Sequence, residues 1–413
     1  MGARKAERKP IASAVHAPVV EHRHALVATV DALRGEPFFF WRPPFASPAL
    51  GLGMATAAQS CEGRAGTRFA FSMYAPTQHG HWRHFPAQSQ CLPKVWVTQD
   101  SGQLSADWLE RDPRLEALWA IAQQESTRDS DVAACQDAQW SVEWDEENFR
   151  RRLEGAIQLV ESNALEKVVV SREVIAEADR DISLSSILRG LCERYPSCFV
   201  FAINVPTEDG EPCTFFGASP EVLAEVQRGT YETCAMAGTV ARGRSAREDE
   251  AIAERLQCPK EKAEHQIVID SIVEELRPIV TTCDTRPTYV RRLPNVQHLV
   301  TPIVGTLAVG QTVLDVGNAL HPTPAVAGYP RRQADALIRE TEAYRGLYAG
   351  TVGTVDPTGD GLLCVAIRSA LLRGKRCHLY AGAGIVEGSN IESESIETVS
   401  KTAAVLDVLR GAP

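Results

Sequence analysis

Residues 198–204, CFVFAIN, and residues 213–226, CTFFGASPEVLAEV, are two β-rich strings with no helical pattern between them. Further β-rich strings occur at 167–174 (KVVVSREV), 362–372 (LLCVAIRSALL) and 376–386 (RCHLYAGAGIV). Two long helical patterns accompany these strings, but they do not alternate with them regularly, as they would in a parallel α/β fold. The pattern therefore predicts an α+β architecture.

Outside these strings, a helix is expected to begin near Asp145, because Leu153, Ile157 and Val160 recur at helical spacing. The segment from about residue 25 to 140 mixes short apolar runs such as PFFFW with Pro and Gly, which predicts strands joined by loops. Residues 1–20 are basic and lack the apolar centre of a signal peptide, so we expect a disordered tail. No composition break divides the remainder, and 21–413 is expected to be a single domain.

The composition is that of a globular protein, with 44% apolar and 23% charged residues in 413. A net charge of −10 argues against nucleic-acid binding, which needs clustered Lys and Arg. The 11 cysteines form no CxxC pair, and their odd number indicates reduced thiols and a cytoplasmic location. No apolar stretch is long enough to span a membrane. We expect a monomer that acts on a small molecule.

The segment 259–276, PKEKAEHQIVIDSIVEEL, is predicted to be a helix that carries an acid on its apolar face. Val268 and Ile272 mark this face, and Glu264 lies four residues before Val268. Glu261 precedes Glu264 by one turn on the same face. Two carboxylates are therefore expected to point inward.

The last predicted helix, from about Ser393 to Leu409, also carries acids on its apolar face. Val405 and Val408 mark its apolar face, and Glu394, Glu397 and Lys401 continue that face toward the N-terminus. A buried carboxylate without a partner is costly, whereas a hard divalent cation keeps several carboxylates ionised. Magnesium is the cation that we expect. The alternative is that these acids are ordinary surface charges or pair with lysines, namely Lys260, Lys262 and Lys401.

Lys167 lies on one face of the KVVVSREV strand with Val169 and Ser171. Burial lowers the pKa of a lysine, and a neutral amine can act as a general base near pH 7. The alternative is a strand-end lysine whose amine reaches water.

Two further charges stand in β-rich strings. Arg368 has Ala366 and Ala370 as same-face neighbours, which leaves room for a guanidinium to grip a carboxylate, or for a structural salt bridge. Glu221 follows Pro220 and is either an acid at a helix start or a carboxylic acid that protonates a leaving group.

LYAGAGIVEGS, residues 379–389, has the glycine spacing of a dinucleotide-binding loop but lacks its context. The sequence ends about one helix later, without the second strand of a βαβ unit. We expect instead that the glycines let backbone N–H groups approach an anion.

Ten blocks of the sequence resemble the chorismate-utilising enzymes, a family of isochorismate, salicylate, anthranilate and aminodeoxychorismate synthases, and they occur in the same order as in that family. The resemblance covers roughly residues 145–410, while the N-terminal third matches loosely. The blocks are KVVVSR, FFGASPEVL, AMAGTVARG, the KAEH helix, VQHLVTPIVGTL, HPTPAVAGYP, YRGLYAGTVG, VAIRSALL, LYAGAGIV and IETVSK.

The resemblance implies a fold like that of anthranilate synthase component I, with two large, mostly antiparallel sheets packed together and helices outside. It implies an active site in a deep cleft between the sheets. Glu264 and Glu397 match the magnesium ligands, with Glu261 and Glu394 as outer or water-mediated ligands.

The activity implied is that of an isochorismate synthase. Lys167 would activate water for attack at ring C2 of chorismate, and Glu221 would protonate the departing C4 hydroxyl. The remaining matched positions are expected to contact the substrate: Arg368, Tyr348, Gly382, Lys401 and His298. For His298, a structural role within a TPI turn is an equal alternative.

Other family members remain as alternatives. Val326 stands where salicylate synthases tend to carry threonine, which favours stopping at isochorismate over eliminating pyruvate. Lys167 argues against anthranilate synthase, although aminodeoxychorismate synthases also have a lysine there. A catalytically silent chorismate-binding protein is the alternative from another class. Both menaquinone and siderophore biosynthesis use isochorismate, and the PFFFWRPP start slightly favours menaquinone.

Overall fold

The computed structural model describes residues 26–55, 67–74, 80–100, 103–125, 138–342 and 345–411. The basic segment 1–20, for which we expect disorder, lies outside these residues. Within the described ranges there are eight α-helices: α1 Pro113–Glu125, α2 Glu146–Glu161, α3 Leu184–Arg194, α4 Ala246–Arg255, α5 Pro259–Leu276, α6 Val313–Leu320, α7 Arg331–Thr341 and α8 Ile391–Leu409. None of the helices described is both long and apolar enough to cross a membrane.

Nineteen strands lie in the same ranges: β1 Phe38–Arg42, β2 Ala49–Ala55, β3 Arg68–Ser72, β4 Gln88–Asp100, β5 Gln103–Trp108, β6 Trp140–Trp144, β7 Lys167–Ala178, β8 Phe199–Val205, β9 Cys213–Ser219, β10 Val222–Gln227, β11 Thr230–Ala241, β12 Val280–Thr285, β13 Tyr289–Arg292, β14 Val296–Leu307, β15 Gly328–Tyr329, β16 Thr351–Val355, β17 Gly361–Val365, β18 Ser369–Arg373 and β19 Arg376–Ile385.

The strands form two antiparallel sheets that are continuous through β4. The first sheet has the order β6–β7–β19–β18–β9–β8–β1–β2–β4–β5, and β15 pairs with the start of β7 on the same edge as β6. In the second sheet, β12 and β13 both pair with β14, followed by β11, β10, β17, β16, β3 and β4. The predicted α+β fold with antiparallel sheets is confirmed.

The run of aromatic residues in β1 shows how the first sheet is buried on both faces. Phe39 and Trp41 belong to the core shared by the two sheets, where the Phe39 ring stacks on Phe69 at 4.0 Å between centroids. Phe38 and Phe40 belong to a second core, to which α3 and α8 also contribute. Alternate residues of a strand point to opposite faces, so the first sheet lies between the second sheet and a layer of helices.

Helices α2, α5 and α8 have the predicted positions. Asp145 caps the N-terminus of α2 by accepting a hydrogen bond from the Asn148 backbone N–H, and α5 spans the predicted segment from Pro259. Helix α8 begins at Ile391, two residues before the predicted start, with Asn390 as its N-cap. Because α5 packs on β11 and α8 on β19, the N-terminal halves of both helices meet the edge of the space between the sheets.

Two predicted local structures are wrong, and both lie where the chain crosses between sheets. The string LLCVAIRSALL is not one strand, because β17 of the second sheet ends at Val365 and β18 of the first begins at Ser369. Arg368 occupies this crossing with a left-handed φ of 51° and therefore has no strand neighbours on a common face. Glu221 lies at a similar crossing from β9 to β10, not at a helix start. The sequence around both crossings is mostly apolar and therefore gives no signal that the chain passes from one sheet to the other.

Candidate active site

A small cavity of about 50 Å³ lies between β7 and β19 of the first sheet and β11 and β14 of the second, with α5 and α8 closing one side. It brings together nine of the twelve predicted site residues: Glu221, Glu264, His298, Val326, Tyr348, Arg368, Gly382, Glu397 and Lys401. Charged and polar side chains make up most of this group, so the cavity suits a charged ligand better than an apolar one.

Lys167 lies directly behind this lining, at the start of β7. Its side chain is 1% exposed, and its Nζ is 2.8 Å from Glu264 Oε1. Val169, two residues along the strand, lines the cavity, so the predicted strand face is correct. The alternative that the Lys167 amine reaches water is wrong. Burial acts to raise the pKa of Glu264, but the charge and hydrogen bond of Lys167 hold it below its usual value.

Glu221 is a buried acid that lines the cavity directly. Burial raises its pKa from 4.5 to about 7, although Arg368, Lys167 and Lys401 act to lower it. Desolvation disfavours the carboxylate more than these three cations favour it. A pKa raised toward neutrality lets the carboxyl group keep its proton near neutral pH, as a proton donor requires.

Arg368 and His298 are in contact inside the cavity. Arg368 Nη2 lies 3.2 Å from His298 Nε2, and His298 Nδ1 lies 3.0 Å from Thr239 Oγ1. Burial, followed by the charge of Arg368, lowers the pKa of His298 well below its usual value. Because a guanidinium only donates, Nε2 must accept and Nδ1 must carry the proton. Neutral His298 therefore orients the guanidinium.

The predicted TPI turn around His298 is absent, since the described residues 296–307 form the continuous strand β14. The partner of His298 is instead Thr239 on the neighbouring strand β11. A bulge in β11 between Ala237 and Thr239 brings Thr239 opposite His298. Thr239 is a lining residue that sequence reasoning missed, although it stands in the AMAGTVARG block.

Gly382, Lys401 and Tyr348 form one wall. Lys401 Nζ donates a hydrogen bond to the Gly382 carbonyl oxygen at 2.7 Å. A Cβ atom at Gly382 would lie 3.0 Å from the Tyr348 hydroxyl, and one at Gly384 would lie 2.5 Å from Glu264 Oε1. The glycines of LYAGAGIV thus leave room for cavity side chains. This contact uses a glycine carbonyl, whereas we expected glycine N–H groups to meet an anion.

Two of the remaining acids also have lysine partners. Lys260 Nζ lies 2.7 Å from Glu394 Oε1, and Lys401 Nζ lies 2.5 Å from Glu397 Oε1. Burial, then repulsion from Glu397, raises the pKa of Glu394. For Glu261, burial and neighbouring carboxylates, Glu264 first, raise the pKa to about 7. The ion-pair alternative is therefore realised for Glu394 with Lys260 and for Glu397 with Lys401, and the carboxylates still repel one another.

The four glutamates fit a hard divalent cation in donor chemistry, since all are oxygen donors and their mutual repulsion would be relieved by a dication. Glu264 and Glu397 line the cavity. In the arrangement described for residues 26–411 outside the gaps, no three carboxylate, imidazole or thiolate groups lie close enough to hold an ion together. Magnesium at this site stays a prediction.

Two larger cavities contain none of the predicted residues. One, of about 340 Å³, lies beside Phe45 and Tyr289, and the other, of about 470 Å³, beside Trp82 and Arg172. The second is also lined by the buried residues Glu342 and Arg345. Arg345 belongs to the block YRGLYAGTVG, but the sequence alone does not assign it a role.

Comparison with known proteins shows the family to which the chain belongs. The family model described as "Chorismate binding enzyme" matches residues 54–410. Isochorismate synthase MenF of Bacillus subtilis is 36% identical over 275 residues, which cover 65% of this chain and 57% of the relative. The salicylate biosynthesis isochorismate synthase of Pseudomonas aeruginosa is 36% identical over 282 residues, or 68% of this chain and 56% of the relative. The chain thus matches little more than half the length of these relatives.

Among solved structures, the menaquinone-specific isochorismate synthase MenF of Escherichia coli has a TM-score of 0.75 at 25% identity, covering 93% of this chain and 91% of that one. Anthranilate synthase component I of Streptococcus pneumoniae has a TM-score of 0.65 at 24% identity, covering 83% and 80% of the two chains. The second likeness concerns the fold alone.

Proposed function

Since the chain belongs to the family of chorismate-binding enzymes, we propose that it is an isochorismate synthase. In the proposed reaction, water adds to ring C2 of chorismate, the ring double bond shifts, and the C4 hydroxyl leaves as water. Chorismate and isochorismate are isomers, so no redox cofactor is consumed. The reaction needs a base for the incoming water and an acid for the departing hydroxyl.

One observation carries the proposal, namely that a buried carboxylic acid with a raised pKa lines the cavity and a buried amine lies directly behind its lining. Lys167 contacts Glu264, which lines the cavity, and Glu221 lines it directly with a pKa raised to about 7. In its neutral form, after it has lost its own ammonium proton, Lys167 takes a proton from the attacking water. Glu221 gives a proton to the leaving oxygen. Fixed placement of both groups lowers the entropy cost of the reaction.

Magnesium is part of the proposal, with Glu264 and Glu397 as ligands and Glu261 and Glu394 as outer or water-mediated ligands. When bound, the ion would offset the negative charge of a substrate carboxylate and orient the ring. The site also has cations of its own. Arg368, oriented by His298, would hold the second carboxylate through its planar fork of donors.

Tyr348 and Lys401 would complete the substrate contacts. Burial raises the pKa of Tyr348 to about 12, so its hydroxyl remains a neutral donor. Lys401 already donates to the Gly382 carbonyl from inside the cavity wall. The Lys401 ammonium lies beside Glu397, which would place it close to a carboxylate bound at the same ion.

Salicylate formation is the second candidate function, because one of the relatives is named for salicylate biosynthesis. That reaction needs isochorismate to lose pyruvate in the same site. Val326 is 4% exposed and lines the cavity with an apolar side chain. It offers no hydroxyl to assist elimination, which favours release of isochorismate. The product could then enter menaquinone or siderophore biosynthesis.

The deciding experiment is to incubate the purified chain with chorismate and Mg²⁺ and to follow the products by NMR. Isochorismate as the sole product supports the proposal. Salicylate with equimolar pyruvate would transfer the assignment to the second candidate. Unchanged chorismate, with binding still seen by calorimetry, would identify a silent chorismate-binding protein.

A further inference from the structure

The edge of β7 that faces away from β19 is paired by two short strands with a gap between them. Strand β15 pairs with Lys167 and Val168, and β6 pairs only from Val174 onward. In the gap, the outward backbone groups of Val169 and Ser171 need other partners, since unpaired buried backbone groups are rare. Lys167, the proposed base, stands at the start of this strand.

Two charged side chains fill most of this gap. Arg345 Nη2 donates to the Val169 carbonyl at 2.7 Å, and Glu342 accepts from the Ser171 N–H and hydroxyl, each at 2.6 Å. Arg152 Nη1 donates to the Ser171 carbonyl at 2.7 Å. The side chains of Arg345 and Glu342 thus act as a strand partner at this point.

Arg345 extends the link to a second segment of the site. Its Nη1 donates to the Val326 carbonyl at 2.6 Å, and its Nε pairs with Glu342 at 2.7 Å. Val169 and Val326 both line the cavity. One guanidinium therefore ties the strand of the proposed base to the segment that carries Val326.

Burial makes this pair rigid. Arg345 is 4% exposed, and its guanidinium lies 4.6 Å from the centroid of the Tyr74 ring. Burial acts to lower the pKa of Arg345, but Glu342 raises it above its usual value. A buried ion pair whose remaining donors are satisfied by backbone carbonyls holds one geometry, and loss of either partner leaves a buried charge uncompensated.

We propose that the Glu342–Arg345 pair positions the proposed base Lys167 against the Val326 segment and so sets the rate of the chemical step. Neither Glu342 nor Arg345 lines the cavity of the proposed active site, so both are positioning residues. The inference rests on the proposed function. A displacement of a catalytic group by about 1 Å can cost on the order of 10²-fold in rate.

The test compares Arg345→Lys and Arg345→Ala with Arg339→Lys. Arg339 forms an exposed i,i+4 pair with Asp335 at 2.8 Å within α7, the helix that ends just before Glu342, which makes it a nearby control. For both Arg345 variants, kcat should fall by about 10²-fold with little change in KM, because substrate contacts are retained. Arg339→Lys should match the wild type in both.

Two readouts separate positioning from general loss of stability. Millimolar guanidinium should restore part of kcat to Arg345→Ala, because the ion can occupy the vacated place, whereas it would not help a merely unstable fold. Hydrogen exchange should become faster in the peptide that contains Ser171, whose N–H donates to Glu342. An unchanged kcat in Arg345→Lys and Arg345→Ala would overturn the proposal.

The outcomes also separate this proposal from the assignment of function. If the wild type leaves chorismate unchanged, the isochorismate synthase assignment fails, and the exchange of the Ser171 peptide alone decides whether the pair holds β7. Wild-type protection of that peptide in Arg345→Ala would overturn the inference even then.

Discussion

Lys167 Nζ lies 2.8 Å from Glu264 Oε1, and this contact joins two residues for which different roles are proposed. Lys167 comes from the first sheet and Glu264 from a helix that packs on the second sheet. The proposed base and the proposed metal ligand therefore share one buried ion pair. Changes to either residue should affect the other.

Substitution of Lys167 by Ala should lower kcat by about 10²–10⁴-fold, because a general base contributes that much. Chorismate binding should persist, since the carboxylate contacts remain. Calorimetry for binding and NMR for turnover provide the measurement. Lys375→Ala is the control, because Lys375 lies in the turn between β18 and β19 and its amine donates to the exposed Asp179 carbonyl oxygen, away from the cavity. Wild-type turnover in Lys167→Ala would exclude this base.

Substitution of Glu221 by Gln or Ala should abolish product formation. In the wild type, kcat should fall as pH rises through about 7, because the acid form of Glu221 is lost there. The pH profile of kcat, measured with saturating chorismate, tests this. A profile with no loss between pH 6 and 9 would contradict the role of Glu221 as the acid.

The same residue should make stability depend on pH. The folded pKa of Glu221 is raised above the unfolded value of 4.5, so its stabilising contribution is complete below pH 4.5 and is lost as pH rises toward about 7. At about 1.4 kcal/mol per pKa unit, the loss is roughly 3 kcal/mol. Glu221→Gln cannot ionise and should be more stable than the wild type at pH 8 but not at pH 4. Urea unfolding at both pH values measures the difference.

Rigorous chelation should silence the enzyme, and added Mg²⁺ should restore it. Glu264→Gln should weaken Mg²⁺ binding as measured by calorimetry, because one of the two proposed ligands that line the cavity loses its charge. Glu274→Gln on the exposed side of the same helix is the matched control. Full activity after chelation would remove magnesium from the proposal.

Substitution of Val326 by Thr should shift some product from isochorismate to salicylate with release of pyruvate. A coupled lactate dehydrogenase assay detects the pyruvate. Val326→Ala controls for the change in packing, because it removes volume without adding a hydroxyl. The threonine hydroxyl should cost about 1–3 kcal/mol of stability if it finds no partner at this buried position. Equal pyruvate release by both variants would argue against a role for the hydroxyl.

Much of this site was readable in the sequence because helical and strand periods are local properties. The repeat of Val268 and Ile272 placed Glu264 on a buried face, and the period of two placed Lys167 beside Val169. The ten blocks then predicted the family and the antiparallel sheets. For these features, the direction of a side chain follows from its position within one element.

The tertiary structure alone decided the features that depend on pairing between distant segments. Arg368 and Glu221 lie where the chain crosses from one sheet to the other. The mostly apolar sequence around them does not indicate which strands the flanking segments pair with. Likewise, Glu342 and Arg345 complete the edge of β7 more than 170 residues away in the chain. Sequence determined which faces are buried, whereas three-dimensional pairing determined which buried charges meet, because that depends on long-range register.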